Sequence, residues 1–216
     1  MAKSKTIALL IFRYFPYGGL EKDFLEIAKE LLERNINIKV LTRTWQGHRP
    51  SGLDIIELQT SGLTNHSRNK NFFKKANKAL KKIKPDLIFG FNKMPGLDIY
   101  LAADTCFKYF SKRKNPLYKF LPRHKAFIEY ETAVFGRKTN TKSLILNKKQ
   151  GNEFSLEYST DESKLVLIPP GLSSSWKKPV EGSDLRSQLN LNDSSTLLLF
   201  VGSDYQRKGL DRSIKA

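Results

Sequence analysis

The chain has 216 residues, with 38 Lys+Arg against 21 Asp+Glu and a formal net charge of +17. At 39% hydrophobic and 27% charged it holds enough apolar material for a packed core and too much for a disordered chain. A single cysteine, Cys106, excludes a disulfide framework and a multi-cysteine zinc site and fits a reducing compartment. No apolar run approaches the ~20 residues of a membrane-spanning helix, so a soluble, cytoplasmic protein attracted to something anionic is expected.

Strands and helices alternate from the start. Residues 6–12 form a continuous apolar run rich in branched side chains, as a strand buried on both faces requires. A turn with Pro16, Gly18 and Gly19 follows, and residues 21–34 place Phe24, Ile27, Ala28, Leu31 and Leu32 at helical spacing. Strands are predicted over 36–41 and 54–58, a basic helix over 72–83, and strands over 87–91 and 99–102. After a basic, aromatic stretch at 106–135 come a strand at 143–146, a helix from 148 to about 158 and a strand at 165–168. Repeated strand–helix–strand order implies a Rossmann-like, doubly wound parallel α/β sheet over residues 1–171. Residues 172–195 read as a linker with a short helix. Residues 196–216 read as a buried strand, a turn and a helix, the opening unit of an incomplete second domain. A lone strand has nothing to pair with, so a truncated product or a fragment is expected.

The excess charge is local. Residues 68–84 hold eight basic side chains and no acid, and residues 108–149 hold twelve against Glu129 and Glu131. Such clustering describes a surface, although a single lysine-rich helix is more commonly just a solvated face. Within 106–135, Lys108, Lys112, Arg113, Lys114, Lys119, Arg123 and Lys125 alternate with Phe and Tyr side chains. Rings entering a headgroup zone while cations meet anionic lipid fit this composition; so does stacking on single-stranded nucleic acid, or an ordinary helix pair.

Chemistry-bearing motifs are few. Gly18-Gly19 stand between a strand and a helix, where a backbone amide can approach a phosphate, but no dinucleotide fingerprint is present. Residues 202–209 hold Arg207 and Lys208 in an equivalent place, a pair suited to a diphosphate. No D-x-D pattern, metal-ligand spacing or nucleophile elbow occurs. Asp23, Asp104 and Glu131 lie near predicted strand ends or helix starts, where each could act as an N-terminal helix acid.

Taken in order, the run 14–20 with Asp23-Phe24, the run 64–69, the run 90–100 continuing to Ala102-Ala103-Asp104, and the run 201–214 closely resemble the lipopolysaccharide core glucosyltransferases I of Gram-negative bacteria, in glycosyltransferase family 4. The resemblance implies a GT-B architecture of two Rossmann-like domains, with this chain holding the first half and a truncated second domain. It implies a retaining, metal-independent transfer of glucose from UDP-glucose to an inner-core heptose, with no cofactor. Gly18, Gly19, Arg207 and Lys208 would bind the donor, and Asp104 and Asp23 would lie at the transferred sugar. Asn65, His66, Asn92 and Lys93 would stand on the acceptor side. The cationic residues of 106–135 would meet the cytoplasmic face of the inner membrane, so the partners are UDP-glucose, a heptose-containing core precursor and that anionic surface, and not nucleic acid. The family's acidic E-x7-E element is absent, so little turnover is expected from this chain alone, and a non-catalytic acceptor- or membrane-binding module is the alternative. A nucleic-acid-binding protein is a further one.

Overall fold

The computed structural model describes residues 5–171, 185–192, 194–201 and 205–216. The chain divides into two compact units, Met1–Pro170 and Gly171–Ala216.

In the first unit β1 (Thr6–Leu10) leads through a two-residue β2 (Arg13–Tyr14) into α1 (Gly19–Glu33). Next come β3 (Asn37–Thr42), the short β4 (Thr44–Trp45), β5 (Leu53–Glu57), α2 (Asn65–Ile83), β6 (Leu87–Gly90) and β7 (Ile99–Ala102). After them stand α3 (Phe107–Ser111), a 3-10 turn at Pro116–Phe120, α4 (Pro122–Phe135), β8 (Lys142–Ile145), α5 (Lys148–Tyr158) and β9 (Leu165–Leu167). Seven strands form one parallel sheet in the order β5-β3-β1-β6-β7-β8-β9. Ile7 faces Ile38 on one side and Leu87 on the other, so β1 is central, and the strand order reverses between β1 and β6. The Rossmann-like sheet expected from the strand–helix alternation is the one observed.

Both faces of β1 are buried, which explains its unbroken apolar run. Leu9 and Ile11 join Phe24 and Ala28 of α1 in one core. Ala8 and Leu10 join Phe72 and Ala76 of α2, Val134 and Phe135 of α4, and Phe154 of α5 in the other. There Phe135 and Phe154 stack with ring centroids 3.5 Å apart.

Two elements depart from expectation. α2 begins at Asn65, well before the apolar periodicity that starts at residue 72. A reciprocal capping box opens it: Ser67 N–H donates to Thr64 Oγ1 at 3.3 Å, and Thr64 N–H to Ser67 Oγ at 3.1 Å. Caps satisfy orphan donors without any apolar side chain, so the first turns escape a periodicity test. In the second unit, α6 (Leu185–Gln188), α7 (Tyr205–Lys208) and α8 (Leu210–Lys215) are short helices. Residues 196–201, expected as a buried strand, form none, and Leu198 and Leu199 are 86% and 79% exposed. A strand needs a neighbour for its backbone groups, and the described residues of this unit supply none. The linker expected over 172–195 lies largely outside the described residues.

Candidate functional site

A cavity of about 1030 Å³ opens at the carboxyl ends of the central strands, where the strand order reverses. That is where an open α/β sheet leaves a crevice between diverging loops. Its walls come from Ile11–Arg13 after β1, Arg43 and Thr44 after β3, and Gln59–Gly62 after β5. Asn65, Arg68 and Asn69 of α2, Asn92 and Lys93 after β6, Asp104 and Thr105 after β7, and ring-bearing residues of α3 and α4 complete it.

Of the residues singled out from sequence, the cavity gathers Asn65, Asn92, Lys93 and Asp104. Asn92 holds two loops together: the Phe12 N–H donates to its Oδ1 at 2.7 Å across 80 residues of sequence. Asp104 is exposed on the wall, and its backbone is fixed from α5, where Gln150 Nε2 donates to the carbonyls of Asp104 (2.8 Å) and Ala102 (2.6 Å). The Leu146 N–H donates to Gln150 Oε1 at 2.9 Å and locks that amide. Gln150 carried no sequence signal, because a clamp onto backbone leaves none.

Lys93 lines the cavity, but its ammonium turns inward. Nζ lies 2.5 Å from Glu131 Oε1 and 3.0 Å from the Thr105 carbonyl, and it sits over the Phe154 ring. Glu131, on α4 and fully buried, also accepts from the N–H groups of Phe107 (2.7 Å) and Lys108 (3.0 Å) and from the Tyr158 hydroxyl (2.7 Å). It thus serves a helix N-terminus, as sequence position suggested, but that of α3 and not of its own helix. The same carboxylate and burial act on its neighbours: burial first, then Glu131, pushes the Cys106 thiol up to about 12 and raises Tyr158 as well.

Gly18, Gly19, Asp23 and His66 are not among the lining residues. Gly18 is the N-cap of α1, and a Cβ there would lie 1.7 Å from the Glu21 carboxylate, which folds back over it. Gly19 has nothing within 4 Å of such a Cβ, so its backbone is open to approach. Glu21 itself lines the cavity, and burial chiefly raises its carboxyl pKa, with its own backbone hydrogen bond and Arg13 opposing. Asp23 is exposed on α1; desolvation raises its pKa and Lys22 opposes. His66 contributes its carbonyl to the Tyr130 hydroxyl at 3.2 Å.

The cations of 106–135 separate into three groups. Lys108 and Lys112 are paired with the buried Glu157. Arg113 lies over the Tyr109 and Phe110 rings, and Arg123 over Phe127. Lys114, Lys119 and Lys125 are exposed beside Leu117, Phe120 and Leu121, which are themselves exposed. No described helix is long and apolar enough to cross a membrane. In the second unit Lys208 is exposed at the end of α7; the Arg207 side chain and residues 202–204 lie outside the described residues.

Sheet order and cavity placement define a Rossmann-like α/β unit of the kind found in GT-B glycosyltransferases. Comparison sharpens this. The chain is 35% identical over 215 residues to the lipopolysaccharide glucosyltransferase WaaG of Escherichia coli (strain K12), an alignment covering 97% of this chain and 58% of that protein. The crystal structure of WaaG, a glycosyltransferase involved in lipopolysaccharide biosynthesis, matches with a TM-score of 0.89 and 34% identity, over 97% of this chain and 58% of that one. A glycosyltransferase from Rickettsia africae ESF-5 matches at a TM-score of 0.53 and 13% identity, over 89% and 51% of the two chains, a likeness of fold alone. No family profile matches the chain. The resemblance to the lipopolysaccharide core glucosyltransferases read from the motifs therefore holds, and the chain spans 58% of the length of the curated relative it matches.

Proposed function

We propose that this chain is the acceptor-side part of a retaining glycosyltransferase that moves glucose from UDP-glucose to an inner-core heptose of lipopolysaccharide. The observation carrying the reading is the switch-point cavity, walled by Asn65, Asn92 and Asp104, in a chain so similar to a lipopolysaccharide glucosyltransferase. Asp104 supplies a carboxylate at the rim, suited to orienting a sugar hydroxyl. Asp23 is assigned to the same reacting region, as a more distant contributor. Gly18 and Gly19 offer backbone to the donor at the start of α1, where partial positive charge favours a phosphate. Arg207 and Lys208 take the diphosphate and stabilise charge on the departing UDP, so the transfer proceeds without a metal. His66 and Lys93 act on the acceptor side through position, since one offers a backbone carbonyl and the other is held by Glu131.

Exposed Leu117, Phe120 and Leu121 beside Lys114, Lys119 and Lys125 support peripheral attachment to an anionic leaflet. Radiolabelled transfer from UDP-glucose to heptose-terminated core tests the reading, on this chain and on one extended to the relative's length. Transfer that requires the heptose terminus and falls at least about 100-fold in Asp104→Asn of the extended chain is expected. Transfer indifferent to the acceptor terminus would refute it.

A further inference from the structure

Three arginines on the cavity wall form no ion pair among the described residues. Arg13 opens β2, Arg43 lies between β3 and β4, and Arg68 is near the start of α2. Pairing of β2 with β4 sets Arg13 opposite Thr44, the residue after Arg43. The Arg43 guanidinium is oriented from two sides. Its Nε donates to the Phe12 carbonyl at 3.3 Å and its Nη1 to Asn69 Oδ1 at 3.0 Å, while the plane lies 4.9 Å from the Phe12 ring centroid. Asn69 adjoins Arg68, whose Nε donates to the Gly62 carbonyl at 2.8 Å. These bonds fix the guanidinium groups of Arg43 and Arg68 and use only part of their donors.

Some arginines of this unit meet acids, Arg34 with Glu30 and Arg49 with Glu57, and others lie over rings, Arg113 on Tyr109 and Phe110 and Arg123 on Phe127. None of the three cavity arginines has an acidic partner among the described residues. Arg43 is half-buried, and its pKa is lowered by that burial and by repulsion from Arg13 and Arg68. Two acids share the cavity, Asp104 and Glu21, the latter near Arg13, and burial favours the neutral form of Glu21. Like charges gathered in one concavity repel, and the repulsion is relieved when an anion enters. Planar guanidinium forks match the oxygens of a phosphate better than they match a neutral hydroxyl. The cavity has room for more than a single sugar ring, and the Phe107, Phe127 and Tyr130 side chains on another wall offer faces for sugar.

We propose that Arg13, Arg43 and Arg68 form an anion subsite that receives a phosphate carried by the saccharide acceptor, so that the chain selects phosphorylated over unphosphorylated acceptors. This rests on the acceptor role given to the cavity above. The same phosphate chemistry could arrive on a nucleotide diphosphate, and the experiment separates the two sources.

Isothermal titration of the full chain would compare a deacylated, phosphorylated heptose-containing core oligosaccharide, the same oligosaccharide dephosphorylated with hydrofluoric acid, and UDP. Dephosphorylation is expected to weaken binding at least about tenfold, as loss of charge-assisted hydrogen bonds does. Added salt should erode the preference. The double variant Arg13→Gln/Arg68→Gln, both at exposed positions, should abolish the preference while leaving UDP and the dephosphorylated ligand unaffected. Arg43→Lys, which keeps the charge and loses the fork, should reduce it. Equal binding of the two oligosaccharides would overturn the subsite and leave the acceptor reading standing. Parallel loss of UDP affinity in the double variant would reassign the arginines to the nucleotide and overturn it as well. Binding of UDP with neither oligosaccharide would remove the acceptor reading and the subsite together. Circular dichroism melting of each variant separates these results from misfolding.

Discussion

The two regions that carry the excess charge differ in how much of it they leave unpaired. On α2, Lys70, Lys74, Lys78, Lys81 and Lys82 are exposed, and none forms an ion pair among the described residues. In the stretch 106–135, Glu157 of α5, a buried carboxylate from outside it, reaches Lys108 and Lys112, while Glu131 within the stretch reaches out to Lys93. The cause lies in how each helix is buried. α2 hides one face, through Phe72 and Ala76, and leaves the remainder in water, where lysine needs no partner. α3 is a five-residue helix whose first N–H groups point into protein, so an acceptor must be supplied, and a buried acceptor in turn needs a counter-charge. Charge counted along a sequence is therefore not charge offered to a partner.

Four measurements would break or sharpen that contrast. Replacing Glu131 by Ala strips Lys93, two backbone donors and the Tyr158 hydroxyl of one acceptor, and should cost about 3–5 kcal/mol in urea denaturation. A loss below about 1 kcal/mol would mean that the carboxylate is no hub. On α2, the triple change Lys74→Gln, Lys78→Gln, Lys81→Gln should leave stability within about 0.5 kcal/mol. It should weaken partition onto anionic vesicles by about 1 kcal/mol per lysine, if that face meets a leaflet. Unchanged vesicle binding would make it a solvated face only.

Alkaline pH probes the hub again. The Cys106 thiol ionises near 9.0 in an ordinary setting and near 12 in the fold, and Tyr158 shifts in the same direction. The unfolded chain thus releases protons first, so stability present below about pH 9 should fall between pH 9 and 12. The slope approaches about 1.4 kcal/mol per pH unit for each proton. Denaturation midpoints at stepped pH check this, and Glu131→Gln should flatten the dependence by removing a nearby negative charge. The last is Glu157→Gln, expected to cost about 1 kcal/mol and to strengthen vesicle binding modestly by freeing Lys112 and removing the negative charge beside Lys108, which stays on the Glu157 carbonyl. Vesicle binding that weakened instead would place those two lysines off the contact surface.

Much of the fold was written in short-range pattern. Residues 6–10 and 38–41 declare buried parallel strands because both faces are apolar, and the helix at Phe24 and Ala28 declares its buried stripe. Asn92 was also legible, since it follows a strand that ends at the sheet's crevice. What escaped depends on groups brought together from afar. Glu131 reads as an ordinary helix acid until α3 is docked above it. Arg13 and Arg43 sit just past strand ends, a position that could have flagged them, but their convergence with Arg68 needs the β2–β4 pairing and the hidden first turns of α2. Residues 196–201 mark the reverse error, an apolar run whose strand character depends on a neighbour.

The all-parallel sheet also sets how the chain must find its structure. No hairpin exists in it, so every strand pairing waits on a crossover: Ile7 must meet Leu87, and Ile99 must meet Lys142. Chain closure is spent before any ladder repays it. The nearest pairing, Phe89 with Ile99, is the natural seed, and the central strand joins only after distant segments have been synthesised. Stopped-flow refolding should therefore run in milliseconds to seconds, not microseconds, and be slowed by Phe89→Ala more than by a substitution in β9. During that interval the bare edges of β1 and β6 are open to other copies, so concentration during refolding should decide how much of the chain returns in folded form.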